Sequence, residues 1–204
     1  MIWPPPDRPL QGALVRLEPL AEHHREPLRE AAADPEIWRW IDRRVADTEE
    51  GFDLHFDERL AGRESGGEFG YATLSGADGA ALGSSSFLAP RPVHDGVEIG
   101  STWLAPQAWR TGVNVEAKLL MLGFAFDQLG CMRVELKTDS RNRRSRLAME
   151  ALPARFEGVF RKHMRMPISG PRDSAYYSIV DDEWPQVRAN LESRLNRARE
   201  AAGA

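Results

Sequence analysis

"WRTGVNVEAKLLM", residues 109–121, is the stretch on which the fold turns. Gly112 allows a tight turn, which runs straight into an apolar helix with no Ser, Thr or Asp at its obvious start. Such a junction leaves backbone N–H groups without partners at the positive end of a helix dipole. With no Cβ, Gly112 also lets a ligand come close to the main chain. The N–H groups of Gly112, Val113 and Asn114 then suit an anion, although water solvating the entrance would satisfy them too. The turn is not a P-loop, because no Gly-Lys-Ser/Thr follows. The spaced second and third glycines of a dinucleotide fingerprint are also missing.

Working outward, the helix expected over 113–129 is apolar nearly all round, through Val115, Leu119, Leu122, Phe126 and Leu129. It should therefore pack on a sheet. Before it, "GVEIGSTWL" (96–104) reads as a strand, and "EFGYATLS" and "AALGSSSFL" read as a hairpin around "GADG". After it come a strand in "MRVELKT", a short helix in "RRSRLAMEAL", and strands in "RFEGVFRKHM" and "SAYYSIV". Upstream, "ALVRLEPL" alternates as a half-buried strand does, and helices are expected over 21–33 and 47–63. The chain divides into an extended lead (1–12), one mixed α/β domain (13–181) and a C-terminal helical arm (182–204) that could pack on a second copy.

Composition narrows the function classes. Of 204 residues, 42% are hydrophobic and 28% charged, as in an ordinary soluble domain. Cys131 stands alone, which excludes an internal disulfide and a cysteine-built zinc site; its apolar neighbours suit a buried thiol. No apolar run approaches the roughly 20 residues that span a bilayer, and "MIWPPPDRPL" lacks the order of a secretory signal. A cytoplasmic protein with no membrane partner and no metal is expected. The net charge of −4 is uneven: residues 133–172 hold eleven Lys and Arg against four acids. That surplus suits an anionic partner or a solvated arginine-rich face. A nucleic-acid module is disfavoured, because few aromatics interleave with the arginines and no recognition signature is present.

The order "VEIGSTWL", "RTGVNVEAKLLMLGFAF", "MRVELKTDSRNRRSRLAMEAL", then "RFEGVFRKH" and "RDSAYYSIVDDEW", resembles the GNAT superfamily of acetyl-CoA-dependent N-acetyltransferases. Within it, the chain looks most like the branch of the ribosomal-protein alanine N-acetyltransferases. The resemblance implies a mixed, mostly antiparallel, splayed sheet of about seven strands and about four helices. Acetyl-CoA would be wedged in the opening as cosubstrate for transfer to a primary amine. The acceptor could be a protein N-terminus or a small molecule; an acyl-CoA binder with little catalysis is the alternative. By the same resemblance the pyrophosphate lies on Arg110, Thr111, Gly112, Val113 and Asn114, next to Leu104 at the preceding strand's end. Asn142 would meet the pantetheine arm, Ser145 would lie near the thioester sulfur, and Arg144 near the adenosine 3′-phosphate. Glu98 stands where relatives place a carboxylate that handles the amine's proton, and Ser145, Tyr176 or Tyr177 could protonate the leaving thiolate. Trp38, Trp40 and Phe52 are candidates for the acceptor pocket, on the helical side facing the last hairpin. Three positions depart from the pattern. Trp109 replaces a Gln or Arg, Asn114 a small residue, and Pro153 a Gly at a turn that must then be built differently.

Overall fold

The "GADG" turn closes as expected, with the Ser75 N–H donating to the Ala80 carbonyl at 2.8 Å and Gly79 at φ +75°. It joins β3 (Glu68–Ser75) to β4 (Ala81–Arg91) in a computed structural model. All residues are described except 43, 49 and 204, with the backbone alone at 46, 47 and 199–203. The remaining strands are β1 (Leu10–Gln11), β2 (Val15–Pro19), β5 (Gly96–Leu104), β6 (Arg133–Asp139), β7 (Arg155–Met166) and β8 (Gly170–Val180). They form one eight-stranded sheet in the order β1-β2-β3-β4-β5-β6-β8-β7, antiparallel everywhere except β5–β6. The strand beyond the expected seven is β1, two residues of the N-terminal lead, too short to show a period in sequence.

The parallel pair is the feature that matters. β5 and β6 are joined only through Gly96↔Arg133, Val97↔Val134 and Glu98↔Glu135, after which each strand runs on unpaired to the other. Just beyond that point β5 bulges: Ser84 faces Trp103 and Ser86 faces Gly100, with Ser101 at φ +49°. The sheet is thus open from its middle toward one end, a splayed α/β fold.

Helices cover both faces: α1 (Arg25–Ala31), α2 (Arg44–Asp47), α3 (Gly51–Glu64), α4 (Val113–Gly123), α5 (Arg143–Glu150) and α6 (Trp184–Gly203). Val97, Ile99, Leu136, Tyr177 and Ile179 meet Val113, Ala117, Met121 and Leu122 of α4 in the main core. Trp184, Val187 and Leu191 belong to that core as well, so the arm packs on its own chain. On the opposite face α1 and α3 enclose a second cluster around Trp38, Phe52, Phe56 and Trp103. The helix expected to reach residue 129 is α-helical to Gly123 and then widens into a π-helical turn over Phe124–Gln128, which stacks Phe126 on Trp184. Among the described residues no helix is long and apolar enough to cross a membrane.

At the turn that carries Pro153, between α5 and β7, the Leu152 and Ala154 N–H groups both donate to the Met149 carbonyl, at 3.0 and 3.2 Å.

Candidate active site

Gly112 takes the left-handed conformation (φ +92°) as the N-cap of α4, and no side chain caps it. Its neighbours show why: a Cβ would come 3.2 Å from Leu14 Cδ1, and the backbone angle itself disfavours one. Among the described residues the Val113 N–H finds only Thr111 Oγ1, at 3.5 Å, and Glu116 N–H makes the first helical bond back to Gly112. Glu116 in turn accepts the N–H groups of Leu14 and Val15 at 2.6 and 2.8 Å, which fixes the start of α4 against β2. The turn therefore presents rigid, under-used donors at a helix N-terminus beside the opening between β5 and β6, a fit for a diphosphate.

Around this turn the sequence-derived residues fall into place unevenly. Arg110 and Thr111 are exposed, Val113 is buried in the core, and Asn114 is half-buried. The Leu104 side chain lies in the core, so only its main chain borders the opening. Trp109 donates its indole N–H to the Leu104 carbonyl at 2.7 Å, and the Arg144 guanidinium lies 4.4 Å from the centre of its ring. Trp109 is thus a prop between β5 and the first turn of α5. Asn142 caps α5, its Oδ1 accepting the Ser145 N–H at 3.1 Å, and Ser145 is half-buried on that turn.

Strand alternation sorts the rest. Glu98 faces the α1/α3 side, 3% exposed, and holds Lys137 of the neighbouring strand at 2.5 Å. Tyr176 lies on the same face; its hydroxyl meets His163 Nε2 at 3.1 Å. Burial, and next the Glu98 charge, raise the Tyr176 hydroxyl above its usual value. His163 is lowered, mainly by burial and then by Lys137 and Arg172. Tyr177 points the opposite way into the core, where it donates to Glu150 and accepts from Arg146, each at 3.0 Å.

Where β6 ends, a cleft of about 570 Å³ opens between the β7–β8 hairpin and the loop after α1. Trp40 lines it, with the guanidinium of Arg39 at 5.2 Å and that of Arg141 at 5.5 Å from its ring centre. Trp38 and Phe52 do not reach the cleft. They are 1% and 5% exposed in the second core, Trp38 donating to the Ala32 carbonyl at 2.9 Å. Apolar bulk places them there, whereas Trp40 sits one turn out of that packing.

Several cleft residues had escaped notice in the sequence. Asp139 is buried and accepts Arg141 through both oxygens, at 2.9 and 2.7 Å, and through the Arg141 N–H. Arg172 also lines the cleft. The signal was available: Arg172, Ser174, Tyr176 and Ser178 alternate with Asp173, Ala175, Tyr177 and Ile179. It becomes visible only when the strand starts at Gly170, ahead of Pro171, and not at Ser174.

With this geometry in view, the comparisons with known proteins are specific. Residues 15–155 match the model of the acetyltransferase (GNAT) domain, so the chain belongs to the GNAT acetyltransferase family. It is similar to an inferred acetyltransferase from T. thermophilus (40% identity, 95% of this chain and 100% of that one, TM-score 0.85). It is also similar to a GCN5-related N-acetyltransferase from Brucella melitensis (30% identity, 94% and 86%, TM-score 0.85). The fold is shared with RimL, the ribosomal L7/L12 alpha-N-protein acetyltransferase in complex with coenzyme A (17% identity, 86% and 99%, TM-score 0.71). None of the curated proteins compared with the sequence matches it. The chain is an acetyltransferase, and acetyl-CoA is its cosubstrate.

Proposed function

We propose that this enzyme transfers acetyl to an amino group of low pKa, held in the Trp40–Arg172 cleft, by direct attack on the thioester. The observation that carries this reading is the placement of two entrances at one gap. The uncapped α4 turn lies on one side of the β5–β6 opening, and the cleft begins where β6 ends. Acetyl-CoA supplies the activated acyl group. The amine nitrogen bonds to the carbonyl carbon, the carbon–sulfur bond breaks, and the amine's proton is lost to solvent while the thiolate is protonated.

The state of Glu98 favours a weakly basic acceptor. Its carboxylate is held by Lys137, so β5 offers the amine no unpaired carboxylate. An α-amino group with a pKa of about 7.7–8.0 is already partly neutral near neutral pH, whereas a lysine amine near 10.4 is almost wholly charged. Of the hydroxyls proposed to protonate the thiolate, Tyr177 is engaged on the far face, which leaves Tyr176 and Ser145.

The test begins with the melting temperature in millimolar acetyl-CoA, CoA or ATP. Both CoA species should raise it and ATP should not, because a ligand that binds only the folded state stabilises it. Arg110→Asp keeps a residue tolerant of the left-handed region (φ +64°) while reversing charge beside the turn. It should weaken CoA binding about tenfold or more. Unchanged affinity would overturn the phosphate-loop assignment. Thiol release with α-amines, and little with lysine side-chain amines, completes the reading.

A further inference from the structure

Among the described residues, one cation in the cleft has no ion-pair or hydrogen-bond partner. Arg172 is 8% exposed, and its Nε is buried with no hydrogen bond. Among the described residues its guanidinium forms no ion pair, although two carboxylates act on it electrostatically. Both are committed elsewhere: Glu98 to Lys137, and Asp139 to Arg141. Burial alone would penalise such a group, and an arginine cannot escape by giving up its proton. The opposite wall carries Asp34, Glu36 and Arg39; Arg39 pairs with Glu36 at 3.5 Å, and Asp34 forms no ion pair among the described residues.

We infer that the acceptor amine carries a carboxylate, which Arg172 binds, so that Arg172 determines specificity. A carboxylate accepts two parallel N–H bonds from a guanidinium fork, and here the fork is fixed by β8. Asp34 on the facing wall favours the ammonium end of the same molecule before it loses its proton. Trp40 and Ile168 supply apolar surface between the two charged walls. The ligand class is therefore an amine with a carboxylate a few bonds away: the acidic side chain of a peptide's first residue, whose α-amine keeps the low pKa argued above, or the α-carboxylate of a free amino acid, whose amine is more basic and reacts best at higher pH. This inference rests on the acetyl-transfer reading above.

The experiment compares matched acceptors by thiol release. Free phenylalanine and glutamate are each set against their α-carboxamides; C-terminally amidated tripeptides beginning with Asp or Glu are set against those beginning with Asn or Gln. The carboxylate member should lead by about 10- to 100-fold in kcat/KM, mostly through KM. The carboxamide's amine is the less basic of the two, so intrinsic reactivity opposes that result. The first pairing identifies a free amino acid and the second a peptide N-terminus. Arg172→Gln should collapse the preference, and Arg172→Lys should restore part of it. The melting temperature of ligand-free Arg172→Gln should not fall, because the substitution removes an unpaired buried charge; a structural arginine would give the opposite result. Equal rates for acid and amide with undiminished thiol release would overturn this inference and leave acetyl transfer standing. No thiol release from any amine would remove both.

Discussion

Two cations are buried on opposite faces of one sheet, and the chain accommodates them differently. Lys118, on α4, reaches under the β5 bulge and donates to Thr102 Oγ1 at 2.7 Å and Ser85 Oγ at 3.2 Å. Burial pushes its amine down to about 7, so it is free to stay neutral. Arg172, on the cleft face, has neither hydroxyl acceptors nor a titration near neutral pH. A buried lysine can be absorbed into structure by losing its charge, whereas a buried arginine must be answered by an anion. One is a matter of folding and the other of recognition.

The largest effect expected from this contrast is on stability against pH. The Lys118 amine is lowered in the folded state from 10.5 to about 7, so the unfolded chain binds the extra proton between those values. Stability should therefore rise with pH across that window and be lost as pH falls toward 7. At about 1.4 kcal/mol per unit, this contributes roughly 3 kcal/mol between pH 7 and 9.5. Denaturant unfolding of wild type and Lys118→Met at both pH values isolates it, since other groups cancel in the difference. Parallel curves would mean that Lys118 is charged like Arg172, and the comparison would fail.

Next comes the acceptor. Thr102→Val keeps the shape but leaves Lys118 with the longer bond to Ser85, and should cost about 1–3 kcal/mol at neutral pH. A neutral outcome in urea unfolding would show that Ser85 suffices. The smallest effect separates the two adjacent tyrosines. Tyr177→Phe removes two core-side hydrogen bonds and should cost about 1 kcal/mol of stability. Tyr176→Phe should cost less than that while changing the pH profile of thiol release. If both substitutions moved stability alone, the division of the sheet into a packing face and a reacting face would be lost.

Local signals carried most of the fold. Residues 68–75 and 96–104 are strands as expected, because runs of strand-favouring residues bounded by turn signals are local in the sequence. The anion-suited turn was legible for the same reason: Gly112 and the missing cap are neighbours in sequence. What stayed hidden depends on distant partners. That Glu98 is held by Lys137 requires knowing that β6 lies parallel to β5 in that register. That Arg172 is bare requires knowing that Asp139 closes on Arg141 first. Trp38 and Trp40 are chemically alike, and only the packing of α1 and α3 separates the core residue from the cleft residue.

The three-rung ladder between β5 and β6 has one more consequence. Two antiparallel half-sheets are stitched together there by three residue pairs, against six between β4 and β5 and seven between β6 and β8, and the unzipped remainder is the proposed channel. The sparsest seam among those central strands and the proposed site of acetyl transfer are the same. A molecule lying along that seam would touch both halves at once and act as a brace, so on the proposed function cohesion and turnover are tied: the enzyme would be tightened by what it consumes and loosened by what it lets go.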